Sequence, residues 1–130
     1  LQNCSSLKSV ISQIKEVPAG NSIGYNRAYY TNQKIRIAII PIGYADGLSR
    51  ELSNEKGQVL INSKKASIIG NVCMDMCIVN INDIEAQEGD EVIIWNTQKH
   101  ILDLAKSLNT IPYEVLTNVS QRVKRIFVKE

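Results

Sequence analysis

Runs of apolar, β-branched residues separated by turn signals make most of the chain read as strands. "SLKSVISQIKEV" is a long β-rich run that ends at "PAGN", where proline and glycine force a turn. "KIRIAII" sets Ile35, Ile37 and Ile39 against Lys34, Arg36 and Ala38, a strand with one face buried. Pro41 ends that ladder because it has no N–H to donate. "GQVLIN", "KASIIG", "VCMDMCIVNI" and "DEVIIW" are further short runs rich in β-branched residues. "NSKK" makes a tight hairpin between the first two, and "NDIEAQEGD" is an acidic loop between the last two. Turn signals at this spacing predict a closed or nearly closed β-barrel.

One stretch breaks the pattern. In "KHILDLAKSLNTIPYEVLTNVS", Ile101, Leu102, Leu104, Ala105 and Leu108 follow helical spacing, and Asn109 is a stop signal. Pro112 opens a second short helical piece with Glu114 in its first turn, where the helix dipole favours an anion. "RVKRIFV" closes the chain as a strand. No repeat or linker divides the sequence. The expectation is one mainly β domain over residues 1–130, barrel-like, with a short helical excursion near its C-terminus.

Composition narrows the functional classes. With 44% hydrophobic and 22% charged residues, the chain is an ordinary globular one. Its net charge of +2 comes from scattered residues and is too weak to point to nucleic acid. The basic tail "QRVKRIFVKE" reads as a solvated face. No apolar run approaches the ~18 residues of a membrane span. "LQNCSSLKS" has neither the charged start nor the apolar stretch of a secretory leader. The chain opens on Leu1 rather than Met, so a piece of something longer is expected. Three cysteines, Cys4, Cys73 and Cys77, an odd number, argue for free thiols in a reducing compartment. "CMDMC" lacks the Cys-x-x-Cys spacing of a zinc site and His100 is the only histidine, so apolar burial of Cys73 and Cys77 is expected instead of a metal.

The residues that carry chemistry are few. Tyr25 and Tyr44 sit where strands meet turns and Tyr113 opens a helix, places where functional groups concentrate. A tyrosine is equally a half-buried packing residue, and its phenol, with a pKa of roughly 10, is a poor base unless charges assist it. "GYADG" carries the Asp46–Gly47 turn signal, and Asp75 falls inside an apolar run. Phosphate loops, Ser-His-Asp sets and paired carboxylates are absent from the sequence. Alone, the residues do not make a complete active site.

Six segments in order, "VPAGNSIGYN", "IAIIPIGYADGLSR", "IIGNVCMDM", "GDEVIIW", "IPYEVLT" and "RVKRIF", resemble the C-terminal domain of alanine racemase. The resemblance runs from about Ser6 to Phe127. It implies an enzyme dependent on pyridoxal 5'-phosphate, which an N-terminal barrel domain binds through a lysine. It also implies a head-to-tail homodimer, in which this β-domain completes the site on the other subunit's barrel. Tyr25 then corresponds to the second catalytic base, serving one face of a small amino-acid substrate while the barrel's lysine serves the other. Tyr44 corresponds to a tyrosine that narrows the substrate entrance. Tyr113 matches one at the same entrance that also reaches the cofactor phosphate. Met74 matches a methionine whose backbone N–H helps hold the substrate carboxylate, and Asp75 the aspartate beside it. Arg50 and Ile111 match outer positions of the substrate corridor.

Three positions depart from the family pattern. Asn71 stands where arginine is usual and removes a charge from the corridor. Asn26 replaces the commoner glycine after Tyr25, a swap that asparagine's tolerance of left-handed backbone accommodates. Ser67 stands where proline is frequent. The resemblance implies interconversion of L- and D-alanine in the bacterial cytoplasm, where D-alanine feeds peptidoglycan synthesis, and an isolated β-domain without activity. The alternative from the fold alone is a small β-barrel that binds without catalysis.

Overall fold

The computed structural model of the chain describes residues 6–23, 29–96 and 98–110. Within them lie β1 (Leu7–Val10), β2 (Gln13–Val17), β3 (Ser22–Ile23), β4 (Tyr29–Tyr30), β5 (Ile35–Ile40), β6 (Gln58–Ile61), β7 (Lys64–Ile69), β8 (Cys77–Asn80), β9 (Glu91–Trp95) and α1 (Gln98–Ser107). Seven strands form one antiparallel sheet in the order β1-β9-β6-β7-β8-β5-β2, and β3 pairs with β4 separately.

The two edge strands of that sheet, β1 and β2, are halves of one run. Between them stand only Ile11 and Ser12. Ile11 N–H donates to the Asp90 carbonyl at 3.0 Å, while Ser12 N–H donates to the Ile39 carbonyl at 2.9 Å. The chain therefore leaves one edge of the sheet and joins the other within two residues, and chain continuity closes the curled sheet into a barrel-like ring. β7 provides the opposite bend. Residues Lys64 to Ser67 pair with β6, and Ile68 and Ile69 with β8.

The core fills the ring. Ile40, Val59, Ile61, Ile68, Val79, Ile81 and Val92 are essentially inaccessible, and α1 adds Ile101 and Ala105. Burying side chains of this size contributes about 1.5–3 kcal/mol each. A second, smaller cluster of Ile35, Ile37, Ile69 and Ile78 packs with Val17, Ile39 and Met76.

This arrangement corrects the expectation for β5. The alternation is present, but Ala38 and Ile40 enter the main core, and Ile35 and Ile37 with half-buried Ile39 form the second cluster. Both faces of β5 are thus apolar. Arg36 does not reach solvent freely either: its guanidinium donates to the Ile84 carbonyl at 3.3 Å and the Ala86 carbonyl at 2.9 Å, bracing the acidic loop.

The hairpin between β6 and β7 turns through Asn62 and Ser63, both at positive φ (51° and 68°), the geometry that matches strand twist. The helix stop at Asn109 holds. Asn109, at φ 53°, donates to the Lys106 carbonyl, and Thr110 donates to Ala105, which satisfies two helix-end carbonyls. Leu102 was expected on the apolar face, yet it is exposed on the outer side of α1. The second helical piece from Pro112 and the closing strand "RVKRIFV" lie outside the described residues.

Two measurements check this packing. Ile40→Ala should cost about 2–5 kcal/mol in urea unfolding, and Ile39→Ala clearly less; equal losses would mean that the two faces of β5 have been misassigned. Cys77 is fully buried, and burial, helped by the nearby Cys73, pushes its thiol pKa up from 9.0 to about 12. The raised pKa means that the fold favours the neutral thiol. That contribution is intact below pH 9 and declines as pH climbs from 9 towards 12. Iodoacetamide at pH 8 should therefore label half-buried Cys73 and spare Cys77 in the folded protein, as peptide mass mapping would show.

Candidate functional site

β5 ends at Ile40, and after Pro41 the chain enters a single 3-10 turn, Tyr44–Asp46. Asp46 holds this turn closed. Its buried carboxylate accepts from the Gly43 N–H at 2.9 Å, while its own N–H donates to the Gly43 carbonyl at 3.0 Å. Gly47 follows at φ 111°, a left-handed conformation that suits glycine.

The turn lies directly against the segment before β8. Tyr44 N–H donates to the Cys73 carbonyl and Ala45 N–H to the Met74 carbonyl, both at 2.9 Å. The contact is too close for any side chain at residue 43. A β-carbon there would sit 2.2 Å from the Cys73 carbonyl oxygen and 2.6 Å from the Met74 carbonyl group. Glycine at 43 is a condition of this pairing, not a matter of turn propensity.

"VCMDMCIVNI" was read as one strand, and this is corrected: β8 begins only at Cys77. Residues 72–76 form a turn in which Cys73 N–H donates to the Met76 carbonyl at 2.9 Å. Asp75 is exposed at the tip of that turn, not embedded in an apolar ladder. Met74 beside it is 55% exposed, unusual for its side chain. Among the described residues, the N–H groups of Met74 and Asp75 have no acceptor. Cys73 is only half-buried, so the expected apolar burial holds for Cys77 and not for Cys73.

A second 3-10 turn, Arg50–Leu52, completes the corner. The Arg50 guanidinium lies over the Tyr44 ring, 5.4 Å from its centroid, a cation–π contact worth about 0.5–1 kcal/mol at an exposed site. Arg50 makes no ion pair among the described residues, so its charge remains available. The following residues are tied to the same partner segment. Val72 N–H donates to Ser53 Oγ at 2.8 Å, Asn54 N–H to the Gly70 carbonyl at 2.8 Å, and Asn54 Nδ2 to Asn71 Oδ1 at 3.4 Å.

Of the eight residues singled out from the sequence, the structure brings five to this corner: Tyr44, Arg50, Asn71, Met74 and Asp75. Tyr25, in the segment joining β3 to β4, and Ile111 and Tyr113, after α1, lie outside the described residues. Gly43, Asp46 and Ser53 also build the corner without being among the eight; Asp46 was marked only as a turn signal. The two glycines flanking "YAD" were a usable signal for the first two, whereas nothing in the local pattern marks Ser53. A cavity of about 450 Å³ lies elsewhere, between α1 and β6, and none of the five lines it.

Residues 4–127 match the family model described as alanine racemase, C-terminal domain. The alanine racemase of Helicobacter pylori strain J99 is 47% identical over 132 residues, which take in 98% of this chain and 35% of that protein. Alanine racemase 2 of Caldanaerobacter subterraneus is 45% identical over 133 residues, covering 98% and 34%. The crystal structure of alanine racemase from Bartonella henselae, with covalently bound pyridoxal phosphate, superposes with a TM-score of 0.89 at 35% identity, covering 95% of this chain and 34% of that one. Alanine racemase from Clostridium difficile 630, in complex with cycloserine, gives 0.84 at 43% identity over 91% and 32%. The chain spans about a third of the length of the curated relatives it matches. Matched in sequence and in fold over nearly its whole length, the chain belongs to the alanine racemase C-terminal domain family.

Proposed function

We propose that this chain is the β-domain of an alanine racemase that interconverts L- and D-alanine, and that it contributes one catalytic base and part of the substrate entrance. The observation that carries the reading is the corner at Gly43. Two hydrogen-bonded turns hold Tyr44, Arg50 and Met74 together, and among the described residues the Met74 N–H has no acceptor at its exposed tip. A free N–H among the described residues, on the segment bonded to the turns that carry Tyr44 and Arg50, suits a small carboxylate substrate.

The described residues do not fit a cradle for pyridoxal phosphate. Every described lysine is exposed, and the three that line the cavity between α1 and β6, Lys56, Lys65 and Lys99, share it with none of the residues of the corner. The cofactor therefore belongs to the remainder of the protein, an N-terminal barrel domain, with Tyr113 as this chain's contact to its phosphate. What this chain does is bind and transfer a proton. Tyr25 Oη removes or returns the α-proton on one face of the amino acid, and a base on the barrel serves the opposite face, as inversion of a carbon centre requires. To act as a base near neutral pH the phenol needs positive charge beside it, which the barrel would have to supply. Met74 N–H, with Asp75 beside it, holds the substrate carboxylate. Tyr44 narrows the way in, and Arg50, Asn71 and Ile111 line its outer part.

On this reading the working unit is a head-to-tail homodimer, residues 1–130 form one domain of it, and the chain alone is inactive. Among the described residues, no helix is long and apolar enough to cross a membrane. The bacterial relatives and the free thiols favour the bacterial cytoplasm as the place of action.

The decisive experiment follows α-proton exchange of L-alanine in deuterated water with pyridoxal phosphate, comparing this chain alone with the complete racemase polypeptide that carries it. The chain alone should be silent. In the complete protein Tyr25→Phe should lower the rate by about 10²–10⁴-fold; activity like that of the unmodified protein would remove Tyr25 from the mechanism. Gly43→Ala should force the turn off the Cys73–Met74 backbone and raise KM for alanine at least ~10-fold. An unchanged KM there would show that the corner does not touch substrate.

A further inference from the structure

Resting on the proposed function, we infer that Ser53 is a positioning residue for the substrate corridor, acting through Arg50. Ser53 follows the Arg50–Leu52 turn and is buried. Its hydroxyl donates to the Arg50 carbonyl at 2.6 Å and accepts from the Val72 N–H at 2.8 Å. The Arg50 carbonyl also accepts from the Ser53 N–H at 3.1 Å. One hydroxyl thus joins the backbone that carries Arg50 to the segment that carries Asn71 and Met74.

The other side of the corner does not depend on it. The Tyr44 turn is held by Asp46 and by its own bonds to Cys73 and Met74. Removing the hydroxyl leaves the buried Val72 N–H without its acceptor and takes one of two donors from the Arg50 carbonyl. The Arg50 turn keeps buried Leu52 and the Asn54 and Glu55 backbone bonds to Gly70 and Ile68. It loses its direct tie to Val72, however, and loosens while Tyr44 stays in place. The guanidinium loses its seat over the Tyr44 ring, and with it the charge is no longer fixed at the entrance. Such a change bears on substrate capture and leaves proton transfer at Tyr25 untouched, so KM and kcat should separate.

The test uses the complete racemase polypeptide. Ser53→Ala should raise KM for alanine by about 3–10-fold with kcat held within about twofold, and Ser53→Thr, which keeps the hydroxyl, should restore KM. Ser53→Cys, of similar volume but a weak hydrogen-bonding partner, carries the same comparison if Ser53→Ala does not fold. In an Arg50→Ala background, Ser53→Ala should raise KM no further, because the two act as a unit. Additive effects, or a loss of Tm with KM unmoved, would show that the hydroxyl is only structural.

A second readout needs neither cofactor nor turnover. With 3-fluorotyrosine placed at position 44 of the cofactor-free protein, the ¹⁹F resonance should move in Arg50→Ala and move the same way in Ser53→Ala, but not in Ser53→Thr. A resonance that ignores Ser53→Ala overturns the inference. If that resonance responds while Arg50→Ala leaves KM unchanged, the link from Ser53 to Arg50 stands and the placement of Arg50 in the corridor fails.

Discussion

The Cys73 carbonyl oxygen occupies the space that a β-carbon on residue 43 would need, and the site geometry follows from that contact. Because glycine leaves the space open, two backbones approach closely enough for Tyr44 and Ala45 to donate to Cys73 and Met74. With the Met74 carbonyl engaged, its neighbouring N–H groups are displayed at the tip of an exposed turn. Tyr44 is placed by the same bonds, and Arg50 is seated on its ring. A side chain at 43 would separate these groups by several tenths of an ångström at least.

The barrel makes that contact durable. β5 delivers the chain to Gly43, and β5 is packed on both faces, with Ala38 and Ile40 inside and Ile35 and Ile37 in the second cluster. A one-residue slip would exchange two different apolar sets and is strongly opposed. β8, which receives the other half of the corner, is paired with β5 from Ile37↔Asn80 to Ile40↔Cys77. The two turns therefore grow from adjacent, registered strands. Closure through Ile11 and Ser12 removes the freedom that an open sheet edge would leave.

Much of this was legible in the sequence, and the failures have physical reasons. Strands β5, β6, β7 and β9, the helix and its stop at Asn109 follow from periodicity and turn chemistry, because each is a local property. β1 and β2 were read as one run, since their break is set by two different pairing partners. The inner face of β5 was misjudged because alternation shows that two faces differ but not which faces the core, and here both are buried. The run from Val72 to Met76 looked like strand because all of its residues but Asp75 are apolar. What makes it a turn is its partner at Gly43, some thirty positions away in the chain. Ser53 was invisible for the same reason, since its importance lies in the Val72 N–H it accepts from.

On the proposed reading, the rigidity of this corner has a mechanistic purpose. A site divided between two bodies cannot adjust both halves at once: the cofactor is fixed by one, and the tyrosine base and the corridor by the other. Proton transfer at a carbon is sensitive to displacements near 1 Å, so each half must hold its groups in place before they meet. In this chain that requirement is met mainly by backbone hydrogen bonds and buried polar side chains, with exposed Tyr44 and Met74 as the surfaces they present. Asp46 and Ser53, whose hydrogen bonds hold the two turns in place, then matter as much to substrate recognition as the residues at the entrance, because they fix where those residues stand.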